Sequence, residues 1–216
     1  MSKTFWAIIV VLILGLFSFL VINNKNKKTP TVEGDNTKIQ ASDHVLGSKD
    51  AKVVVIEYGD YQCPSCGVWQ PKVEELETKT GQDFAFVFRN FPITTAHKNA
   101  TAAARAAEAA SKQDKFWEMN KLLYANQNSW AASDQPEDVF NKYAGELNLN
   151  VDQFKTDYEG SGVLDKINFD RDLAVKQGVE GTPTFFLNGT KLEGINPSNQ
   201  DNDLIKKVDE ALAQQQ

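Results

Sequence analysis

Cysteine, histidine and methionine are scarce in this chain, with two of each among 216 residues. Two cysteines cannot staple a small disulfide-rich scaffold, so any internal disulfide is a single bond. The two histidines, His44 and His97, show no metal-like spacing to those cysteines, so a zinc half-site would lack its remaining ligands. An excess of positive charge is also missing. The formal net charge is −6, and the four lysines of residues 1–28 stand without an acid, which leaves 19 basic against 29 acidic residues beyond them, a formal −10. A body that acidic repels a phosphate backbone, which argues against a nucleic-acid partner. No internal repeat is visible. What the chain does hold is 41% hydrophobic and 24% charged residues, enough to bury a core and to exclude disorder throughout. At this length one domain with an insertion is expected.

Uncharged residues run from Phe5 to Ile22 (FWAIIVVLILGLFSFLVI), with Ser18 the one polar side chain. As a helix this run spans roughly 27 Å, close to the hydrocarbon thickness of a bilayer. Lys3 precedes it and NNKNKK follows, as suits ends lying among headgroups. A cleaved signal peptide is the rival. The run is long for one, no A-x-A-like site follows Phe19, and the absence of cysteine there excludes a lipoprotein anchor. Residues 1–22 are therefore expected to be an uncleaved membrane anchor. The polar stretch 23–43 reads as a flexible linker, and 44–216 as the folded domain. The lysine count after the run favours a cytoplasmic body, yet long domains translocate largely regardless of loop charge, so hydropathy leaves the side open.

Lys52–Tyr58 (KVVVIEY) is β-branched and reads as a strand buried on both faces. Pro64 to about Thr80 reads as a helix with proline in its first turn and Gly81 as its stop. Phe84–Phe91 is a second strand, which completes a βαβ unit. The alanine-rich His97–Gln113 predicts a helix, and Asp114 an N-cap for KFWEMNKLLYAN. Pro136–Leu147, Val151–Tyr158 and Ser161–Gln177 continue a helical block over about 95–177. Strands return at Thr184–Leu187 and around Lys191–Leu192 across Asn188-Gly189, and a helix over about Gln200–Ala213 closes the chain.

Cys63-Pro64-Ser65-Cys66 stands where the first strand hands over to the helix. The free N–H groups and positive dipole end of that helix stabilise a thiolate at Cys63, which makes it both a better nucleophile source and a better leaving group. Cys66, one turn in, reads as the more buried, resolving thiol. A purely structural disulfide closing so small a ring would gain little chain entropy. Glu57 is the next oddity, a carboxylate inside an apolar strand. Burial raises its pKa, which suits a group that trades a proton with Cys66; the alternative is a strand-end head that reaches solvent. Thr182-Pro183, just before the strand, is either punctuation or a cis-proline offering backbone to an extended peptide. Trp69 and Trp117 read as core anchors. Tyr58 and Tyr61 flank the active turn, and packing explains them as well as a peptide groove does. His97 reads as a capping or surface residue, and the exposed acids of the helical block as a solvated face.

Taken together, EYGDYQCPSC, FRNFPITTAHKNATAAARAAEAA, FWEMNKLLYANQ and VEGTPTFFLNG resemble the DsbA-like thiol-disulfide oxidoreductases of the thioredoxin superfamily, over about residues 43–213. The resemblance implies an α/β thioredoxin-like fold with an inserted helical domain, preceded by a single transmembrane helix. It implies Cys63 as the attacking cysteine, Cys66 as the resolving one, Glu57 as the buried acid, and Pro183 as a cis-proline with Thr182 beside it. No cofactor is needed in the domain, no residue is singled out as a metal ligand, and whether a metal ion binds is left open. The expected partners are reduced cysteine-containing secreted proteins and a quinone-linked membrane reoxidant, with the domain outside the cytoplasm. The dipeptide Pro64-Ser65 departs from the Pro-His of the best-known members, which leaves the redox poise open between an oxidase and a reductase or isomerase. A non-catalytic peptide-binding module on the same scaffold is the rival from another class.

Overall fold

The computed structural model describes residues 37–79, 81, 83–196 and 203–215, together with Phe5. The expected anchor and the first part of the linker lie outside these residues. Among the described residues no helix is long and apolar enough to cross a membrane. The sheet and its helices lie in one compact unit within Gly34–Gln216.

Strand β1 (His44–Gly47) is followed by β2 (Val53–Gly59), helix α1 (Pro64–Glu77) and β3 (Phe84–Asn90). Six helices come next: α2 (Ala100–Ser111), α3 (Phe116–Ala125), the short α4 (Gln127–Trp130), α5 (Pro136–Glu146), α6 (Val151–Glu159) and α7 (Ser161–Lys176). Then β4 (Thr184–Leu187), β5 (Thr190–Lys191) and α8 (Asp203–Ala213) complete the order. The sheet runs β1-β3-β2-β4-β5, with β2 and β3 parallel and the other pairs antiparallel. The crossover through α1 is what lets β2 and β3 run parallel. β2 is thus the central strand, and Glu57 faces Phe88 on one side and Phe185 on the other in register.

Alternation sends Val53, Val55 and Glu57 to one face with Phe84, Phe86 and Phe88, into the main core beneath α1. The opposite face carries Tyr58 and Arg89. The alanine-rich α2 packs against α3, α5, α6 and α7, because side chains no larger than a methyl at 103, 104, 106, 107, 109 and 110 let helix backbones approach closely. Trp130 fills the far end of this block, its indole N–H donating to Leu123 O at 2.9 Å.

Three features depart from the expectations. Asp114 does not cap α3. Its φ of 59° is left-handed, and it ends α2 instead: its N–H donates to Ser111 O at 3.2 Å, and that of Lys115 to Ala110 O at 3.0 Å. Asn148 and Gly178 end α5 and α7 in the same way. The folded body also begins before residue 44. Asp43, assigned to the linker, is buried, and its carboxylate receives Arg89 Nε at 3.2 Å and Nη2 at 2.8 Å, while Lys38 O accepts Arg89 Nη2 at 2.7 Å. A polar stretch becomes structural here because a buried guanidinium requires an anion.

The helical block, finally, is not solvated at all of its acids. Glu108 and Asp170 are buried. Glu108 accepts from Asn90 Nδ2 at 2.7 Å and pairs with His44 Nε2 at 2.9 Å, and Asp170 takes the Asn90 N–H at 3.0 Å as well as the Lys166 ammonium. Burial pushes the Asp170 carboxyl up and the Lys166 charge opposes that shift. These contacts tie α2 and α7 to the end of β3.

Candidate active site

Cys63 sits at the N-cap of α1 with extended backbone (φ −70°, ψ 120°), and Pro64 fills the first helical position, where its missing N–H costs nothing. Pro64 and Ser65 are exposed, and Cys66, one turn along, is buried at 1% exposure. Both cysteines are free thiols. The turn ahead of them is held by hydrogen bonds rather than by packing alone. Cys63 N–H donates to Asp60 O at 3.0 Å, and Gln127 Nε2 donates to both Tyr61 O at 2.7 Å and Cys63 O at 3.0 Å. Gln62 reaches the insertion twice, donating to Ala131 O at 2.8 Å and accepting from the Asn99 N–H at 2.7 Å. The inserted helices therefore position the turn that carries Cys63.

Thr182-Pro183 is a cis peptide bond. It stands beside the cysteines across 119 residues of chain, with the Cys63 thiol 3.4 Å from Thr182 O. The Thr182 hydroxyl is buried and finds no partner in hydrogen-bond geometry among the described residues. Pro183 also helps to line a cleft of about 240 Å³, together with Trp69, Phe185, Leu192 and Ile195 among others.

The electrostatics divide the three ionisable groups. The Cys63 thiol is pulled down from 9.0 to about 5, chiefly by the hydrogen bond from Cys66, with burial opposing. The Thr182 side chain and the backbone N–H groups of Cys66 and Ser65 add to the pull. An otherwise unpaired threonine hydroxyl facing this sulfur is a ready donor to the thiolate. The thiolate thus forms without a histidine between the cysteines. Cys66 moves the opposite way, well above 9.0, because of burial first, then its bond to Cys63 and the nearby Glu57 carboxylate. Glu57, 2% exposed, is pushed up to about 8 by burial and then by the charge on Cys63. Its head does not reach solvent.

The structure brings Glu57, Cys63, Cys66, Thr182 and Pro183 into one site, with Pro64 and Ser65 at its rim. Trp69 is a core anchor, its ring 5.1 Å from Phe185, and Trp117 packs at 5.9 Å from Phe86. Tyr58 and Tyr61 are buried, their hydroxyls receiving Arg89 Nη1 at 2.9 Å and Asn120 Nδ2 at 3.1 Å, so they do not line a groove. His97 is neither a cap nor a free surface residue: its Nδ1 lies 2.7 Å from Asp60 Oδ2. Asp60 and Gln127 escaped the sequence reading. An acid three residues before Cys63 was the available signal for the first, and nothing local marks the second.

A sequence profile of the thioredoxin family, described as Thioredoxin, matches residues 39–207. Na(+)/H(+) antiporter NhaA 1 of Mycobacterium sp. (strain KMS) is 39% identical over 154 residues, 70% of this chain but 24% of that protein. The chain thus spans about a quarter of the length of such relatives. Probable disulfide bond formation protein D of Bacillus cereus is 32% identical over 211 residues, 94% of this chain and 91% of that one. Among solved structures, a cysteine-to-alanine variant of alpha-DsbA1 from Wolbachia pipientis superposes with a TM-score of 0.68 at 25% identity, over 84% of this chain and 98% of its own. With a thioredoxin-like sheet, a helical insertion and the cysteine pair facing a cis-proline, the chain belongs to the thioredoxin superfamily, in its DsbA-like branch.

Proposed function

We propose that the protein is an extracytoplasmic thiol-disulfide oxidase that forms disulfides in secreted or surface proteins and is held at the membrane by residues 1–22. The observation that carries this reading is the placement of the two thiols, Cys63 at the N-cap of α1 and 3.4 Å from Thr182 O, Cys66 buried one turn along, which draws the first down to about 5 and pushes the second well above 9.0. A low pKa at the outer thiol stabilises the reduced form, and a dithiol that prefers to be reduced gives its disulfide away. The relation to the Bacillus cereus disulfide bond formation protein supports the same direction.

The working form carries a Cys63–Cys66 disulfide. A substrate thiolate attacks Cys63 Sγ, a new S–S bond forms, and the Cys63–Cys66 bond breaks with its electron pair on Cys66. Glu57, neutral below about 8, supplies the proton that a buried Cys66 thiolate requires. A second substrate thiolate then attacks the substrate sulfur of the mixed disulfide and expels Cys63 as a stable thiolate. The substrate leaves oxidised, the protein is left reduced, and a quinone-linked membrane partner accepts the two electrons. The cleft that Pro183 helps to line offers the substrate chain a place at the cis-proline. The domain supplies this chemistry without a resident cofactor.

The test is a redox trap in intact cells that express the full chain. Rapid acid quenching should find the Cys63–Cys66 pair oxidised, and after a brief pulse of reductant a membrane-impermeant maleimide should label Cys63 without lysis. A pair found reduced at steady state would make the protein a reductase, and labelling only after lysis would place the domain inside. A second expectation concerns Glu57. Glu57→Gln cannot deliver a proton, so exchange below pH 8 should slow several-fold, and the inflection near about 8 should vanish from the pH–rate profile. An unchanged profile would remove Glu57 from the mechanism.

A further inference from the structure

Asp60 is a buried carboxylate that the exchange mechanism does not use. It is 1% exposed, and three donors converge on it: Gln62 N–H at 2.8 Å on Oδ1, and Ile93 N–H at 2.8 Å and His97 Nδ1 at 2.7 Å on Oδ2. Its backbone is engaged too. Asp60 O accepts the Cys63 N–H, and Asp60 N–H points at Cys66 Sγ, 3.5 Å away. One residue therefore grips both cysteines through its main chain while its side chain is bolted to the segment that enters the helical insertion.

We propose that Asp60, pinned by His97, is a positioning residue for thiol-disulfide exchange, holding its own N–H on Cys66 so that the departing sulfur is stabilised as it leaves. The inference rests on the exchange reading above. When a thiolate attacks Cys63, the S–S electron pair moves onto Cys66 in a site where burial opposes a negative sulfur until Glu57 delivers its proton. A hydrogen bond to a charged acceptor is stronger than one between neutral groups, and stabilising the leaving sulfur speeds its departure. An amide whose direction is set before the reaction costs no reorganisation during it. The carboxylate supplies that direction. Its bond to Gln62 N–H closes the turn locally, while Ile93 and His97 anchor it from the segment after β3. His97 is the outermost member, with 19% of its side chain exposed. Its replacement therefore removes one of the three donors at little cost in packing.

The experiment measures the second-order rate at which glutathione opens the Cys63–Cys66 disulfide of the oxidised full chain in detergent. It pairs that rate with the titration midpoint of the Cys63 thiolate in the reduced chain, read by ultraviolet absorbance. Asp60→Ala should slow the opening about tenfold or more, as loss of roughly 1.4 kcal/mol of leaving-group stabilisation would. His97→Ala should slow it several-fold, and His97→Asn, whose amide nitrogen can stand where Nδ1 stood, should restore it to within twofold. The Cys63 midpoint should stay near about 5 in all of them. An opening rate unchanged in His97→Ala, or not restored in His97→Asn, overturns the inference even where Asp60→Ala fails to fold. A Cys63 midpoint that moves with the rate overturns it too, since the turn as a whole would then have shifted. A wild-type disulfide inert to glutathione would instead sink the exchange reading on which the inference rests.

Discussion

Replacing Arg89 with methionine should cost about 3–5 kcal/mol of folding stability, the range for breaking a buried ion pair by removing one partner. Arg89 is 0% exposed and sits on the central part of the sheet, where its guanidinium serves Asp43, the Tyr58 hydroxyl and Lys38 O. Methionine matches much of the volume but leaves the Asp43 carboxylate with both oxygens facing a dry interior. The Gln40 N–H at 2.7 Å and the Lys166 ammonium at 3.6 Å remain as its partial support. Removing both charges should cost far less. In Arg89→Met with Asp43→Leu no uncompensated charge remains, and apolar replacements of buried pairs are often close to neutral. Urea unfolding of the two single variants and the double at neutral pH measures the difference. A single-variant loss below about 1 kcal/mol, or a double variant as unstable as the worse single, would show that the pair contributes by packing and not by charge.

The second large effect lies in how pH separates the reduced and oxidised proteins. The fold pulls the Cys63 thiol down to about 5 from its ordinary 9.0, so the depressed group contributes stability that is complete above 9 and lost as pH falls through 5. At pH 7 roughly half of the four-unit interval is realised, which corresponds to about 2 kcal/mol once solvent screening at a partly accessible sulfur is allowed for. The oxidised protein has no such thiol. Glu57 works in the opposite direction: its raised pKa gives stability present below 4.5 and lost as pH rises through 8. Because Glu57 is present in both redox forms, its burial contribution largely cancels in their difference. The part raised by the Cys63 charge does not cancel and trims the gap. Urea midpoints of the two forms should therefore diverge in favour of the reduced protein between pH 5 and 9, and should run parallel below pH 5. Parallel curves across the whole range would mean that the thiolate is not stabilised by the fold.

The site was legible where local chemistry marks it. A cysteine followed by proline, at the end of a β-branched run, announces a helix start, and Pro64 indeed opens α1. A glutamate among valines announces burial, since alternation leaves it no exposed face on a central strand. Strand β4 came out at Thr184–Leu187 as expected, because Asn188-Gly189 marks its hairpin; both take positive φ there, 47° and 79°. Legibility ended where the signal is spread over distance. Strand β1 has two apolar residues in four and exists because β3 offers it an edge. Helix α1 stops at Glu77, short of the expected Thr80, with the Thr78 hydroxyl donating to Glu75 O at 2.7 Å.

Pattern and composition thus determined the order of elements, the helical block between β3 and β4, and the candidates for the reacting residues. These follow from periodicity and from side chains that are costly anywhere but at a site. Which groups neutralise one another was decided by the tertiary structure alone. Asp43 meets Arg89 across 46 residues, Asp60 meets His97 across 37, and Thr182 meets Cys63 across 119. The reason is physical. A pKa or a buried charge is set by desolvation and by the few donors within hydrogen-bond reach, and a chain brings those together only when it closes on itself.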